Sequence, residues 1–382
     1  MTRLYKRLLT KLKTYQFHHL NVRLIIFVIG LSILGLNVIA SATDNPSYEK
    51  KQLLGIILGI IVMAVIALID YSYILKFSWL IYGVNVFMLL AVKLFGENHK
   101  GAQRWVEIAG IQIQPSELAK IFIILFFAYF FNKYKDKLNS LKVLPVALVL
   151  FGIPLLLIYK QPDLSTSIAI AIIFAVMIYT AGLSYKIILG FIGVMIPVAI
   201  VLVYMIMQPG QTILEDYQYN RLVGFYDEDN EAAQALNYQQ DNAVLAIGSG
   251  GLWGKGLDND SADSVKNGNL IPEPQTDFIF AIVGEELGFV GTASVIILLA
   301  LITFECLYVG AHARDMAGRI ICYGVATIIA VQTFINIAVV TKMMPNTGLT
   351  LPFVSYGLSS LLSLYMGMGF VLNVGLQRRK IL

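Results

Sequence analysis

Long apolar runs alternate with short polar breaks along the whole chain. The runs lie near 24–42, 52–69, 73–95, 116–132, 143–159, 164–181, 186–207, 278–309, 319–341 and 353–373. Each approaches the roughly 20 residues that cross a bilayer as a helix. The pattern predicts an all-α polytopic membrane protein, one domain over 1–382 with about ten transmembrane helices. One polar stretch stands out, 208–276, a large loop between helices 7 and 8. It is acidic at Asp227-Glu228-Asp229-Asn230-Glu231 and glycine-rich at Gly248-Ser249-Gly250-Gly251 and Gly254-Lys255-Gly256. A structureless loop of that length is uncommon unless it has a job, so short amphipathic helices on the membrane surface are expected there.

Composition supports this picture: 57% of residues are hydrophobic and 14% charged, and mean hydropathy is +0.72. A soluble domain does not look like this. The net charge of +4 is small and gives no nucleic-acid signature. The basic residues instead sort by side. Arg3, Lys6, Arg7, Lys11, Lys13 and Arg23 lie in the tail 1–23; Lys133, Lys135, Lys137 and Lys142 follow the fourth run; Arg314 and Arg319 follow the eighth; Arg378, Arg379 and Lys380 end the chain. With ten spans these share one side, so both termini are expected to be cytoplasmic and 208–276 extracellular. Cys306 and Cys322 lie in or beside apolar runs and suggest neither a disulfide nor a metal site.

Ionisable groups in or beside the apolar runs are expensive, which makes each a candidate for function. Asp277 sits where the eighth run meets the outer surface, with Glu285 and Glu286 about two turns deeper. As a bare residue it reads first as a helix-start carboxylate favoured by the helix dipole. The functional alternative is a general base. Glu117 and Lys120 share one face of the fourth helix, behind Gln114-Pro115, either as a neutralising ion pair or as the lining of a polar cavity. Asp163, in Gln161-Pro162-Asp163, is placed as an N-cap. Arg104 precedes an interfacial Trp105, and Arg221 stands in an otherwise acidic loop, where it either binds phosphate bidentately or pairs with a local carboxylate. The stretch around Lys255 does not match a P-loop, since Gly256 follows the lysine where Ser or Thr is required. Between Met344 and Gly357, two prolines and two glycines imply irregular backbone at membrane depth, which is tolerated only when buried in protein or lining a polar cavity.

Taken together, these motifs resemble the SEDS family, which includes RodA and FtsW. They are Gly-Ala-Gln-Arg-Trp at 101–105, Gln-Pro-Ser-Glu-Leu-Ala-Lys at 114–120, Gln-Pro-Asp-Leu at 161–164, and the glycine-rich pieces of 246–256. Thr-Asp-Phe-Ile-Phe-Ala and Gly-Glu-Glu-Leu-Gly follow within 276–288, and the signature from Pro345 to Ser360 comes last. Leu358, Asn242-Ala243 and Tyr219-Asn220 depart from common family residues without removing a proposed catalytic group.

The resemblance implies a peptidoglycan glycosyltransferase of the bacterial cytoplasmic membrane, serving elongation or division. It would polymerise lipid II on the outer face beside a class B penicillin-binding protein. It implies that Asp277 is catalytic and places Glu117 and Lys120 at the family's fourth-helix positions. The leaving diphosphate needs positive charge. Arg104, Lys120, Arg221 and Lys255 are the candidate cations, and Glu117, Asp163 and Ser355 complete the expected substrate-binding set. A divalent cation such as Mg or Mn is the other source of charge, although the sequence has no dedicated metal cage. Two rivals remain: a lipid flippase or transporter, whose polar groups should form a path through the membrane, and a non-catalytic scaffold, which would tolerate loss of Asp277.

Overall fold

The computed structural model describes residues 15, 17–43, 45–99, 102–108, 111–140, 142–206, 208, 211, 214, 219, 222, 225, 231–259, 264, 268 and 270–377. The apolar runs become α1 (Val22–Ala42), α2 (Pro46–Leu68), α3 (Tyr71–Phe95), α4 (Pro115–Lys133), α5 (Val143–Tyr159), α6 (Leu164–Thr180) and α7 (Tyr185–Ile206). After the long polar segment, which contributes α8 (Glu231–Ser249), come α9 (Ile279–Ala311), α10 (Met316–Val340) and α11 (Leu358–Leu376). Among the described residues, eight helices are long and apolar enough to span; α5 and α6 are shorter apolar helices.

The core is built on α4, α10 and α11, whose most apolar stretches are 78%, 61% and 83% buried, whereas that of α7 is 0% buried. Helix α4 is apolar on all sides, which suits a central helix. Its Phe126, Phe127 and Phe131 are fully enclosed, and Phe127 meets Phe174 of α6 edge-on at 4.9 Å. Helix α2 lies close along α11, where Gly59 faces the Tyr365 ring so tightly that a Cβ would sit 2.3 Å from it. Small residues permit such approach between membrane helices.

Three features depart from the sequence reading. Residues between α3 and α4 form a small antiparallel sheet, β1 (Glu97–His99), β2 (Ala102–Ile108) and β3 (Ile111–Ile113), with Glu97 opposite Trp105 and Val106 opposite Ile113. Its strands are too short to register against the helical runs, and it carries Arg104. Helix α11 begins at Leu358 rather than near 353, because Pro345–Gly357 is irregular. Leu349, Leu351, Phe353 and Val354 of that segment are buried, so its loose backbone is enclosed in protein.

Helix α9 has 33 residues, about 50 Å of helix, which exceeds a bilayer core of about 30 Å. It breaks at Gly288, with φ 65° and ψ −160°. The first piece, before the break, packs under the glycine-rich segment. A Cβ on Gly288 would lie 2.3 Å from the Gly254 nitrogen. The second piece spans. The side opposite the sheet is tied by Arg314, which donates to the Tyr71 hydroxyl at 2.9 Å and pairs with Asp70 and Asp315 at 3.4 Å each. Burial pulls its pKa down, but these neighbours outweigh that and leave it raised.

Candidate functional site

Asp277 lies in the turn that leads into α9, one residue before the N-cap position, which Phe278 occupies without a side-chain cap. Helix capping therefore does not account for it. Its backbone is pinned from the neighbouring elements. Asn336, in the C-terminal part of α10, donates its amide to the Asp277 carbonyl at 2.7 Å and to the Leu349 carbonyl at 2.7 Å. The Tyr356 N–H donates to the Gln275 carbonyl at 2.8 Å. The Thr276 hydroxyl donates to Asp277 Oδ1 at 3.0 Å. Tyr356 packs edge-on against Tyr48 at 4.9 Å, and burial, then Tyr48, pushes its phenol pKa up.

The irregular segment 345–357 is the hub of this region. The Ser165 hydroxyl of α6 donates to the Thr347 carbonyl at 2.8 Å, Thr350 Oγ1 bonds Ser360 of α11 at 3.0 Å, and Gln52 of α2 donates to the Ser355 carbonyl at 3.2 Å. The Ser355 hydroxyl accepts the Leu351 N–H at 2.8 Å and closes its own loop.

Glu117 and Lys120 are paired. Lys120 Nζ donates to both carboxylate oxygens, at 2.8 and 2.9 Å, and the two residues are 4% and 1% exposed. Pro115 opens the helix and fixes this turn, while the Gln114 N–H ahead of it donates to the Ser359 hydroxyl of α11 at 2.9 Å. Antiparallel α10 sets Gly324 against Ile124. Two helical turns toward the start of α4, that register brings Val331 and Gln332 level with Glu117 and Ser116. The Gln332 amide and the Ser116 hydroxyl are fully buried and make no hydrogen bond among the described residues. Buried polar groups in that state are rare and costly.

A third group forms at the start of α6. Asp163 is its N-cap, accepting the Thr166 N–H at 3.2 Å, but it also accepts from the Gln114 amide at 3.4 Å and lies 3.9 Å from Arg104. Arg104 further donates to the Gln161 carbonyl at 3.3 Å and to the Pro162 carbonyl. Asp163 thus caps a helix and also anchors the arginine of β2.

Lys255 lies apart from these. It pairs with Glu285 at 2.8 Å, eight residues along from Asp277, about 12 Å of helical rise. Its own N–H donates to the Glu285 carbonyl at 2.9 Å, and the Ser41 hydroxyl donates to Glu286. These bonds seat the glycine-rich segment on the first piece of α9. Arg221 lies outside the described residues. Among the described residues no three His, Cys, Asp or Glu side chains are grouped to hold a metal ion.

The sequence reading missed Asn336, which holds the Asp277 and Leu349 carbonyls from α10, and Gln332, buried one turn before it on the same helix. The signal was available, as two amides one turn apart in an otherwise apolar run. A rule restricted to ionisable groups passes over them.

The profile described as a cell cycle protein family of FtsW, RodA and SpoVE matches residues 13–380. The peptidoglycan glycosyltransferase MrdB of Escherichia coli K12 is 34% identical over 362 residues, covering 94% of this chain and 95% of that protein. A probable peptidoglycan glycosyltransferase FtsW of Trichlorobacter lovleyi is 30% identical over 375 residues, covering 95% and 94%. A chain of a peptidoglycan synthase complex that coordinates polymerization and crosslinking shares the fold with a TM-score of 0.78 at 24% identity, over 96% of this chain and 99% of that one. The rod shape determining protein RodA of Thermus thermophilus shares it at 0.67 and 24%, over 96% and 98%. By profile, by relatives and by fold, this multi-pass membrane chain belongs to the FtsW, RodA and SpoVE family of cell cycle proteins.

Proposed function

We propose that this chain is a peptidoglycan glycosyltransferase that polymerises lipid II on the outer face of the bacterial cytoplasmic membrane. In this reading both termini are cytoplasmic and a class B penicillin-binding protein works beside it. The observation that carries the reading is the mounting of Asp277. Its backbone is held by Asn336, and the Gln275 carbonyl beside it by Tyr356, so the residue is fixed where α9, α10 and the 345–357 segment converge. Fixed placement of the reacting group is what general base catalysis requires.

In the proposed reaction Asp277 takes the proton from the acceptor sugar hydroxyl. The hydroxyl oxygen then bonds to the donor anomeric carbon. The bond from that carbon to the diphosphate oxygen breaks, and the lipid diphosphate leaves with the electron pair. Charge builds on the sugar as in an oxocarbenium-like transition state. Arg104, Lys120 and Lys255 remain the proposed counter-charges, with Arg221 added from the sequence. Arg104 is the best placed of the three, because its carbonyl partners are neutral and Asp163 is 3.9 Å away. Lys120 and Lys255 already hold a carboxylate at 2.8 Å. Glu117 orients Lys120, and Asp163 orients Arg104. Ser355 serves by shaping the hub loop. A divalent cation stays the alternative source of positive charge for the leaving diphosphate, although among the described residues no three His, Cys, Asp or Glu side chains are grouped to hold one.

The carboxylates of α9 favour this reading over a transporter. Glu285 and Glu286 are tied to Lys255 and Ser41 at one end, and Glu305 is tied to Asn21 at 2.7 Å and Arg23 at 3.1 Å at the other. They brace two separate ends of the helix. The test is purified protein with lipid II and glycan length read on a gel. Asp277→Asn should lower polymerisation by about a hundredfold to ten-thousandfold while the protein still expresses and inserts. Near-normal glycan synthesis by this variant would remove Asp277 from the mechanism, whereas absence of glycan from the parent protein itself would leave the scaffold reading standing.

A further inference from the structure

Helix α7 crosses without burying any described residue against the bundle. Its apolar side chains therefore stay open to their surroundings along the whole helix, and in the hydrocarbon region only apolar groups can cover them. Where α6 ends and α7 begins, the structure has a cavity of about 830 Å³ against the first turns of α10, lined by Tyr179, Ser184, Tyr185, Lys186, Arg319 and Tyr323 among others. Its lining includes two cations and no carboxylate. Neither Lys186 nor Arg319 makes an ion pair or side-chain hydrogen bond among the described residues, unlike Arg314 close by in sequence. Tyr179 and Tyr185 bring their hydroxyls within 3.3 Å of each other.

We propose that this cavity binds the headgroup of an anionic phospholipid, with the acyl chains lying along α7. In the orientation proposed above, the lipid belongs to the cytoplasmic leaflet. An arginine fork suits a phosphodiester bidentately, and a lysine adds a point charge. Tyrosines sit at headgroup level because one end of the ring is apolar and the other wet. Basic pockets between helices on the cytoplasmic side are the setting in which such headgroups bind. The unburied apolar length of α7 selects a lipid over free phosphate, since only a lipid meets the cations and covers the adjoining apolar face.

The test uses the full-length protein in detergent, titrated with phosphatidylglycerol, phosphatidylcholine or glycerol phosphate, with bound lipid counted by native mass spectrometry. Lys186→Gln and Arg319→Gln should each weaken phosphatidylglycerol retention about fivefold, and the double variant about 25-fold. Arg319→Lys keeps the charge but not the fork, so it should bind less than the parent and more than Arg319→Gln. Lys135→Gln with Lys137→Gln, exposed cations expected on the same side, should leave it unchanged. Monodisperse elution of each variant guards against simple misfolding. Equal retention by the double variant and the parent overturns the proposal, and so does an equal loss in the Lys135 and Lys137 control. Glycerol phosphate competing as well as the lipid, or phosphatidylcholine bound equally tightly, also overturns it.

Discussion

The Glu117–Lys120 pair gives a sharp test of how the bundle interior handles charge. The ammonium lies 2.8 and 2.9 Å from the two carboxylate oxygens, and neither residue exceeds 4% exposure. At 2.8 Å, an effective dielectric constant of about 20 gives an attraction of about 6 kcal/mol. Each ion also gives up several kcal/mol of hydration on burial, so the net worth of the intact pair is far smaller than its attraction. Breaking it is another matter. Lys120→Met leaves Glu117 buried without its partner, and Glu117→Gln does the same to Lys120, so each should cost about 3–5 kcal/mol. The double variant removes both charges and should recover part of the loss, a coupling of about 0.5–3 kcal/mol. Thermal midpoints of the four detergent-purified proteins measure this, with glycan synthesis read in parallel. If Lys120 also neutralises the leaving diphosphate, Lys120→Met and the double variant lose activity alike. Stability losses that add strictly, with no recovery in the double variant, would show that the two charges do not sense each other and refute the reasoning.

Further outcomes follow from the same geometry. Gly288→Ala should cost about 1–3 kcal/mol from the backbone angle alone, and more because its Cβ would meet the Gly254 nitrogen at 2.3 Å; a wild-type yield and melting midpoint would contradict the break as described. Lys255→Met should lower stability because it removes the ammonium that lies 2.8 Å from Glu285, which is 1% exposed, and Lys255→Met with Glu285→Gln should regain part of it; a single variant as stable as the parent would free Lys255 from its bracing role. Cysteine in place of exposed Glu107 should react with an impermeant thiol reagent from outside intact cells, and cysteine in place of exposed Lys137 should not; buried Cys306 and Cys322 should give little background. The reverse labelling would invert the proposed orientation.

The sequence is most informative about what the bilayer imposes. An apolar helix has to be about 20 residues long whatever it packs against, so nearly all the spans emerge from composition alone, and the charged breaks give their order. What one helix does to another is not written in any one run. The eighth run looks like a single span, yet its break depends on Gly288 meeting Gly254 across the glycine-rich segment. The ion pair of Lys120 is local, three residues apart on one helix, and was legible for that reason. The pair of Lys255 with Glu285 joins residues 30 apart and was not. Asp163 shows why a bland reading and a functional one need not compete: one oxygen caps α6 while the other accepts from Gln114, and Arg104 approaches the capping oxygen. A carboxylate committed to a helix end is held rigidly, and a rigid carboxylate is what can aim an arginine. The same logic applies to Asp277, with the difference that its fixation comes from backbone bonds to Asn336 and, next to it, Tyr356. Holding a residue by its main chain, with the Thr276 hydroxyl on one carboxylate oxygen, fixes where the carboxylate sits, and fixed placement is what a general base needs.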